Sequence, residues 1–330
     1  MIKDIITKSG KINDYIHHVD LNAFGKKRFL SCYIAEFDNT SIILDCGSSF
    51  EIKGLIDYIK NANISFSSIK YLITTHYHFD HNGGAWKLYN ILKKHSPKIK
   101  ILTNQNTKNL LNNYSEHLTR AKRTFGRFTG EMNCIEDEAF QLIEPTNNLK
   151  NVINNTDIIE SFKLNGSKII LSVLETPGHT PDHQCPIFLR EGEPDFIFLG
   201  EAAGTLYNSS KLITMPTSMP IHFKYNNYMN SLENIQKLNP NKIGFAHFGI
   251  VDGNENTNKI LNEHKNYMKE FRKEIIQYYN ENPETKYIYN KLMPNLIKRT
   301  DLTIDFHPIL KKIILAIIYG MMMDLGYRKE

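Results

Sequence analysis

Several things are scarce in this sequence. Its 330 residues include four cysteines (Cys32, Cys46, Cys134 and Cys185) and a single tryptophan. No two cysteines stand in CxxC spacing, which argues against a thiolate metal knuckle or a dithiol redox centre, and a chain of this length needs no disulfides to hold a core. We read the four as reduced thiols of a cytoplasmic protein. An excess of one charge is also missing. The 40 Lys and Arg outnumber the 35 Asp and Glu by only five, and the lysines are scattered, so there is no basic tract of the kind that tracks a phosphate backbone. Nucleic acid is therefore not an expected partner. The most apolar run, IILAIIYGMMM at 313–323, is well short of the roughly 20 residues of a membrane span. The opening MIKDIITKSG carries Lys3, Asp4 and Lys8 and has neither an apolar core nor a small-residue cleavage site, which argues against a secretory signal. No internal repeat and no low-complexity linker is evident.

What remains is an ordinary globular composition, 41% hydrophobic and 23% charged, able to bury a full core and hold a rigid site. Residues 28–46 read as two strands about a turn at Asp38-Asn39, and 49–64 as a helix with Ile52, Leu55, Ile56 and Ile59 on one face. IKYLITT (69–75) is a short β-branched strand that stops directly at His76, a helix follows Gly83-Gly84, and IKILTN (99–104) is a further strand. This strand–loop–helix–strand order predicts an α/β layer. Residues 105–150 look helical with little β signal. Strands are expected near 157–163 and 168–174, at 184–190 and 195–200 about a Glu191-Gly192 turn, and at 241–249, with a loop at 205–225 and a helix through Met229, Leu232, Ile235 and Leu238. From about residue 255 only helices are expected, the last opening at Pro308. Its residues from Ile309 to Leu325 are apolar nearly all round, which predicts burial, either under a pocket or as the seam of a homodimer.

Polar residues crowd at the ends of these strands. The run HYHFDH supplies His76, His78, Asp80 and His81, TPGHTPDH supplies His179, FLGEAAG supplies Glu201, and AHFG supplies His247. Strand-end loops are where α/β sandwiches build sites. Five histidines and two carboxylates at four such ends point to a metal cluster. Alternate residues of an extended segment point the same way, so His76 and His78 can reach one ion together, while Asp80 and His81 lie past the turn, towards a second. Imidazole suits zinc or iron, and a carboxylate can bridge two cations.

HYHFDH resembles the HxHxDH signature of the metallo-β-lactamase superfamily, and the three later landmarks follow in the expected order. The resemblance spans about residues 15–250 and implies an αββα sandwich with the metals at one edge of its sheets. It divides the chain into a fold domain at 1–254 and an all-helical C-terminal segment at 255–330. It assigns a first metal to His76, His78 and His179 and a second to Asp80, His81 and His247. One position departs from the pattern: Glu201 stands where the superfamily usually has a bridging aspartate. The implied chemistry is hydrolysis by a dinuclear metal enzyme, in which a metal-bound hydroxide oriented by Asp80 attacks a small thioester, ester or lactone. The cofactor would be two divalent ions, zinc first, with iron or manganese as alternatives. Tyr207, six positions past Glu201, is a candidate donor to a developing oxyanion, with a buried structural tyrosine as the competing reading. His222 is a candidate for substrate contact. His183 is expected outside the ligand set, and His17, His18, His95, His117, His264 and His307 are expected to be surface or core residues. Two other activities fit the same motif. One is a non-hydrolytic diiron protein that binds oxygen or senses redox state; the other is a metal-dependent nuclease, which the absence of a basic arm disfavours.

Overall fold

The computed structural model describes residues 5–302 and 309–329; Pro308 and His307 lie outside the described residues. Two sheets of seven strands face each other. The first consists, in spatial order, of β2 (Gly10–Lys11), β3 (Ile16–Asp20), β4 (Ser31–Glu36), β5 (Ser41–Leu44), β6 (Ile69–Ile73), β7 (Lys100–Thr103) and β8 (Phe140–Leu142). The second consists of β1 (Ile5–Ile6), β14 (Gly249–Asp252), β13 (Lys242–Phe245), β12 (Glu193–Phe198), β11 (Gln184–Arg190), β10 (Ser167–Glu175) and β9 (Glu160–Leu164). The hairpin of β11 and β12 turns on Glu191 and Gly192, both at positive φ (54° and 87°), as the sequence predicts.

Strand alternation produces the layers. Tyr33 and Ala35 of β4, Ile42 and Leu44 of β5, and Tyr71 and Ile73 of β6 point inward to meet Leu171 and Val173 of β10 and Phe196 and Phe198 of β12. The residues between them, Ile34, Ile43 and Leu72, point outward onto the helices α1 (Ile52–Asn61) and α3 (Ala85–Leu92). On the far side Ile187, Ile197 and Ile243 face α7 (Tyr225–Lys237) and α8 (Asn254–Glu281). Both faces of each sheet are thus buried, giving helix, sheet, sheet, helix. The other helices before α7 are α2 (Phe79–Asn82), α4 (Gln105–Asn112), α5 (Ser115–Phe125) and α6 (Leu149–Ile153). After α8 come α9 (Thr285–Ile297) and α10 (Leu310–Asp324), whose buried residues join the cluster that covers the first sheet.

Some elements differ from the sequence reading. The strands β1, β2 and β3 precede the first one expected, and the segment 105–150 holds β8. The single strand expected at 241–249 is two, because the backbone leaves the ladder between them. Ala246 N–H bonds Gly200 O, and Phe248 N–H bonds Leu206 O. Nor is α10 apolar and buried on every side. Lys311 and Lys312 are exposed, and Leu315 is 43% exposed.

Candidate metal centre

β6, β10, β12 and β13 all end at the same edge of the sandwich. The chain leaving β6 is fastened across to the second sheet, where Gln184 donates from its backbone N–H to Thr75 O (2.9 Å) and from Nε2 to Thr74 O (2.8 Å). The loop that follows therefore holds the first histidines in place, and α2 carries Asp80 and His81 back towards them. The structure brings together all seven residues of the expected ligand set. His76, His78, His179 and Glu201 form one group, and Asp80, His81 and His247 another, with the donor atoms of each lying within 4.8 Å of one another.

The ring orientations have identifiable causes. His179 Nδ1 donates to Thr217 O (2.7 Å), and His76 Nδ1 bonds Thr75 Oγ1 (3.0 Å). His247 Nδ1 lies 2.9 Å from Phe29 O and 3.0 Å from Tyr207 Oη, and His81 Nδ1 lies 3.3 Å from a carboxylate oxygen of Asp45. With the proton on Nδ1, each of these four rings turns the lone pair of Nε2 into the cluster. His78 instead presents Nδ1, 3.2 Å from His179 Nε2. Among the described residues, the buried Nε2 atoms of His76 and His81 have no hydrogen-bond partner. A buried polar atom without a partner is costly, and a cation shared among these donors removes the cost. The residues present therefore fit a metal.

Glu201 is only 5% exposed, so it is not a solvated loop acid. Its Oε2 lies 2.8 Å from His179 Nε2, 3.2 Å from His81 Nε2, 3.4 Å from His76 Nε2 and 4.0 Å from His78 Nδ1. One oxygen thus faces donors of both groups. In the second group Asp80 lies 3.5 Å from His247 and 3.9 Å from His81. Burial alone would raise both carboxyls. The imidazoles around Glu201 hold it well below the ordinary carboxylate range instead, and His81 and His247 do the same for Asp80. Burial pushes His76 well down and His78 down to about 4. His81 goes the other way: against its burial, Asp80, Asp45 and Glu201 hold it well above the ordinary imidazole value, so an arriving cation must displace its proton to meet the anionic carboxylates and neutral imidazoles that metals bind.

Asp45 and His117 also belong to this site, and the sequence reading passed over both. Asp45 follows β5 in the left-handed region (φ 54°), a conformation that aspartate tolerates. It accepts from Thr75 N–H, Thr75 Oγ1 and Asn82 Nδ2, each at 2.7 Å, besides orienting His81. Its signal was its position after the apolar strand ILD, the same placement that marks Glu201. His117, expected at the surface or in the core, stacks on His78 at 5.3 Å and accepts the Phe79 N–H through Nε2 (3.1 Å). His183 stands outside both donor groups, as expected. Its Nε2 accepts the Glu201 N–H (3.1 Å) and its Nδ1 bonds Thr176 (2.8 Å). The His222 ring sits 6.3 Å from that of Tyr77 and does not line the cavity.

That cavity, of about 340 Å³, opens above the cluster. Its floor includes His78, Asp80, Glu201 and His247, with Tyr207 in the wall; α5 forms one side, and Ile313, Ile317 and Met323 of α10 form another. The expectation that the last helix packs at a pocket holds.

A family model described as the metallo-beta-lactamase superfamily matches residues 25–247, well over half the chain and spanning every residue of the two donor groups. The chain belongs to the metallo-β-lactamase superfamily. Like the superfamily at large, it carries the fold of metal-dependent hydrolases. It is 26% identical over 263 residues to the metallo-beta-lactamase fold-containing protein ST1585 of Sulfurisphaera tokodaii, a match that covers 79% of this chain and 86% of the relative. The crystal structure of ST1585, from Sulfolobus tokodaii, superposes with a TM-score of 0.64 at 22% identity over 93% of this chain and 98% of that one. The metallo-beta-lactamase family protein TTHA1429 of Thermus thermophilus shares the fold at a TM-score of 0.57 and 13% identity, over 90% of this chain and 88% of its own. Among the described residues of this superfamily member no helix is long and apolar enough to cross a membrane, and all four cysteines are unbridged.

Proposed function

We propose that the protein is a dinuclear metal-dependent hydrolase of a small thioester, ester or lactone. The observation that supports this most directly is the convergence of five imidazoles and two carboxylates on one cluster, of which His78, Asp80, Glu201 and His247 form the floor of a largely apolar cavity. A set this rich in imidazole suits zinc, with iron and manganese as the competing ions. Bound ions would supply Lewis acidity and a water acidified towards neutrality.

The chain's own groups would do the rest. His76, His78 and His179 would hold the first ion, Asp80, His81 and His247 the second, and Glu201 would stand between them. Asp80 lines the cavity and stays ionised, so it accepts a hydrogen bond from the attacking water and aims it at the acyl carbon. The water oxygen joins that carbon, the bond to the leaving oxygen or sulfur breaks, and the leaving atom departs with a proton. Tyr207 would stabilise the charge on the carbonyl oxygen. Its Oη accepts from His247 Nδ1 (3.0 Å), and its own proton meets no acceptor among the described residues. Burial pushes the phenol well above its ordinary pKa, so it remains a donor.

The test combines metal analysis of anaerobically purified protein with a panel of acyl thioesters, aryl esters, lactones and phosphodiesters. We expect about two metal ions per chain, chelator-sensitive hydrolysis in the first three classes, and no phosphodiester cleavage. Tyr207→Phe should lower kcat by about a hundredfold with its metal content intact. A metal-free protein of full stability in chelator, or cleavage confined to phosphodiesters, overturns the reading.

A further inference from the structure

The two sides of the cavity differ in chemistry. On α5, His117, Arg120, Ala121 and Thr124 recur at helical spacing and all line the cavity, with Arg123 beside them. This stripe starts at the metal centre, where His117 lies face to face with His78 (5.3 Å, 5°). Because His117 Nε2 accepts the Phe79 N–H, its proton sits on Nδ1. The helical rise puts Arg120 about 4.5 Å and Arg123 about 9 Å farther along the axis. Among the described residues the only carboxylates lining the cavity, Asp80 and Glu201, belong to the metal cluster. Beyond the cluster, the charged lining among the described residues is Arg120 and Arg123.

Arg120 also pairs with Glu116. That acid is 76% exposed, and such a surface pair is weak enough for an arriving anion to compete with it. Lys122, on the same helix, is exposed and does not line the cavity, so the solvated charge of α5 and its cavity-facing charge are separate residues. The opposite wall is apolar, built from Ile313, Ile317 and Met323 of α10. The two walls are tied together where Lys312 Nζ donates to Thr124 O (2.6 Å), which sets their separation.

We infer that the substrate is amphipathic. Its scissile carbonyl lies at the metal cluster, its apolar acyl portion lies against α10, and an oxyanion, carboxylate or phosphate, sits on Arg120 and Arg123 one to two helical turns away. The guanidinium fork matches either oxyanion with paired N–H donors. The inference rests on the ester-hydrolase reading for its scissile bond but not for its anion site.

The experiment compares the monophenyl ester of adipic acid with its neutral methyl phenyl diester, using the metal-loaded protein. We expect kcat/KM to favour the anionic ester by about tenfold, through KM, with the preference shrinking as salt is added. In the double variant Arg120→Gln, Arg123→Gln the ratio should fall to about one. The exposed Arg123 replaced alone, a substitution that leaves the core untouched, should lower the ratio part of the way. Calorimetry with the adipic monoanilide, which is not turned over, reads the site without hydrolysis; the parent should bind it about tenfold more tightly than the double variant. A phosphate-terminated analogue forms a third arm, and a larger preference for it identifies phosphate as the natural anion. A parent without charge preference, or a preference that survives in the double variant, overturns the inference and leaves the hydrolase reading standing. Anilide binding lost in the variant, with neither ester hydrolysed, upholds the anion site and removes the hydrolase reading.

Discussion

Glu201 has one methylene more than the aspartate usual at its position, and its Oε2 lies among four imidazoles drawn from both donor groups. An uncompensated carboxylate at this depth would be costly, and two cations would compensate it. Glu201→Gln keeps the length and removes the charge. It should lower metal content from about two ions towards one, with the second ion lost first because three histidines still hold the other. Glu201→Asp should keep both. Metal stoichiometry of the two variants beside the parent decides, and a Gln variant that holds both ions at parental affinity ends the bridging role. At this scale the sequence was readable wherever a donor directly follows an apolar strand, because backbone periodicity then fixes where it points. Asp45 obeys the same rule, but no cluster of histidines surrounds it in the sequence. His117 could not be read this way. It lies within the polar helix SEHLTR, and only the docking of α5 against Phe79 brings it to His78.

Among the elements, α10 shows what periodicity can and cannot supply. Its apolar content announced a buried helix, whereas its place at the cavity depends on one close approach. A Cβ added at Gly320 would lie 1.9 Å from Ser218 O and 2.7 Å from the Met219 carbonyl carbon. Glycine thus lets the helix seat directly on the loop that follows Pro216, and Ser218 Oγ donates to Ile317 O (2.6 Å) at the same contact. Gly320→Ala should destabilise by about 1–3 kcal/mol through overpacking and raise KM by shifting Ile317 and Met323. Leu315→Ala, at an exposed position of the same helix, should change stability by about 0.5 kcal/mol or less. Urea denaturation of both variants measures the contrast, and equal effects would refute it. Of the four strands that escaped sequence reading, β3 has five residues, but its IHHVD shows no apolar alternation, and the other three are very short. β1 and β2 have two residues each and β8 three, too few for alternation to register. They exist because longer neighbours offer them unpaired edges.

For the molecule as a whole, acid is the informative perturbation. His18 and His264 are buried away from the donor groups, and burial lowers them from 6.5 to about 4 and about 3. Between those values and 6.5 the unfolded chain binds more protons than the folded one, so stability rises with pH and is lost as pH falls from about 6.5 towards 4. Fully developed, the two shifts are worth about 3 and about 5 kcal/mol of stability at neutral pH relative to acid. Urea midpoints at pH 7 and pH 5 should fall in that order, and His264→Gln should flatten the slope; a parent more stable at pH 5 would contradict the assignment. The topology has a consequence for unfolding as well. The donor residues arrive from both sheets, and His78 and His179, 101 positions apart, meet at one point. An ion held by both works as a removable cross-link. By chain-entropy reckoning, closing a loop of that length is worth about 4–5 kcal/mol. Chelation should therefore let the two halves of the sandwich swing apart like the boards of a book, and amide exchange should quicken first along the edge where the clasp has been undone.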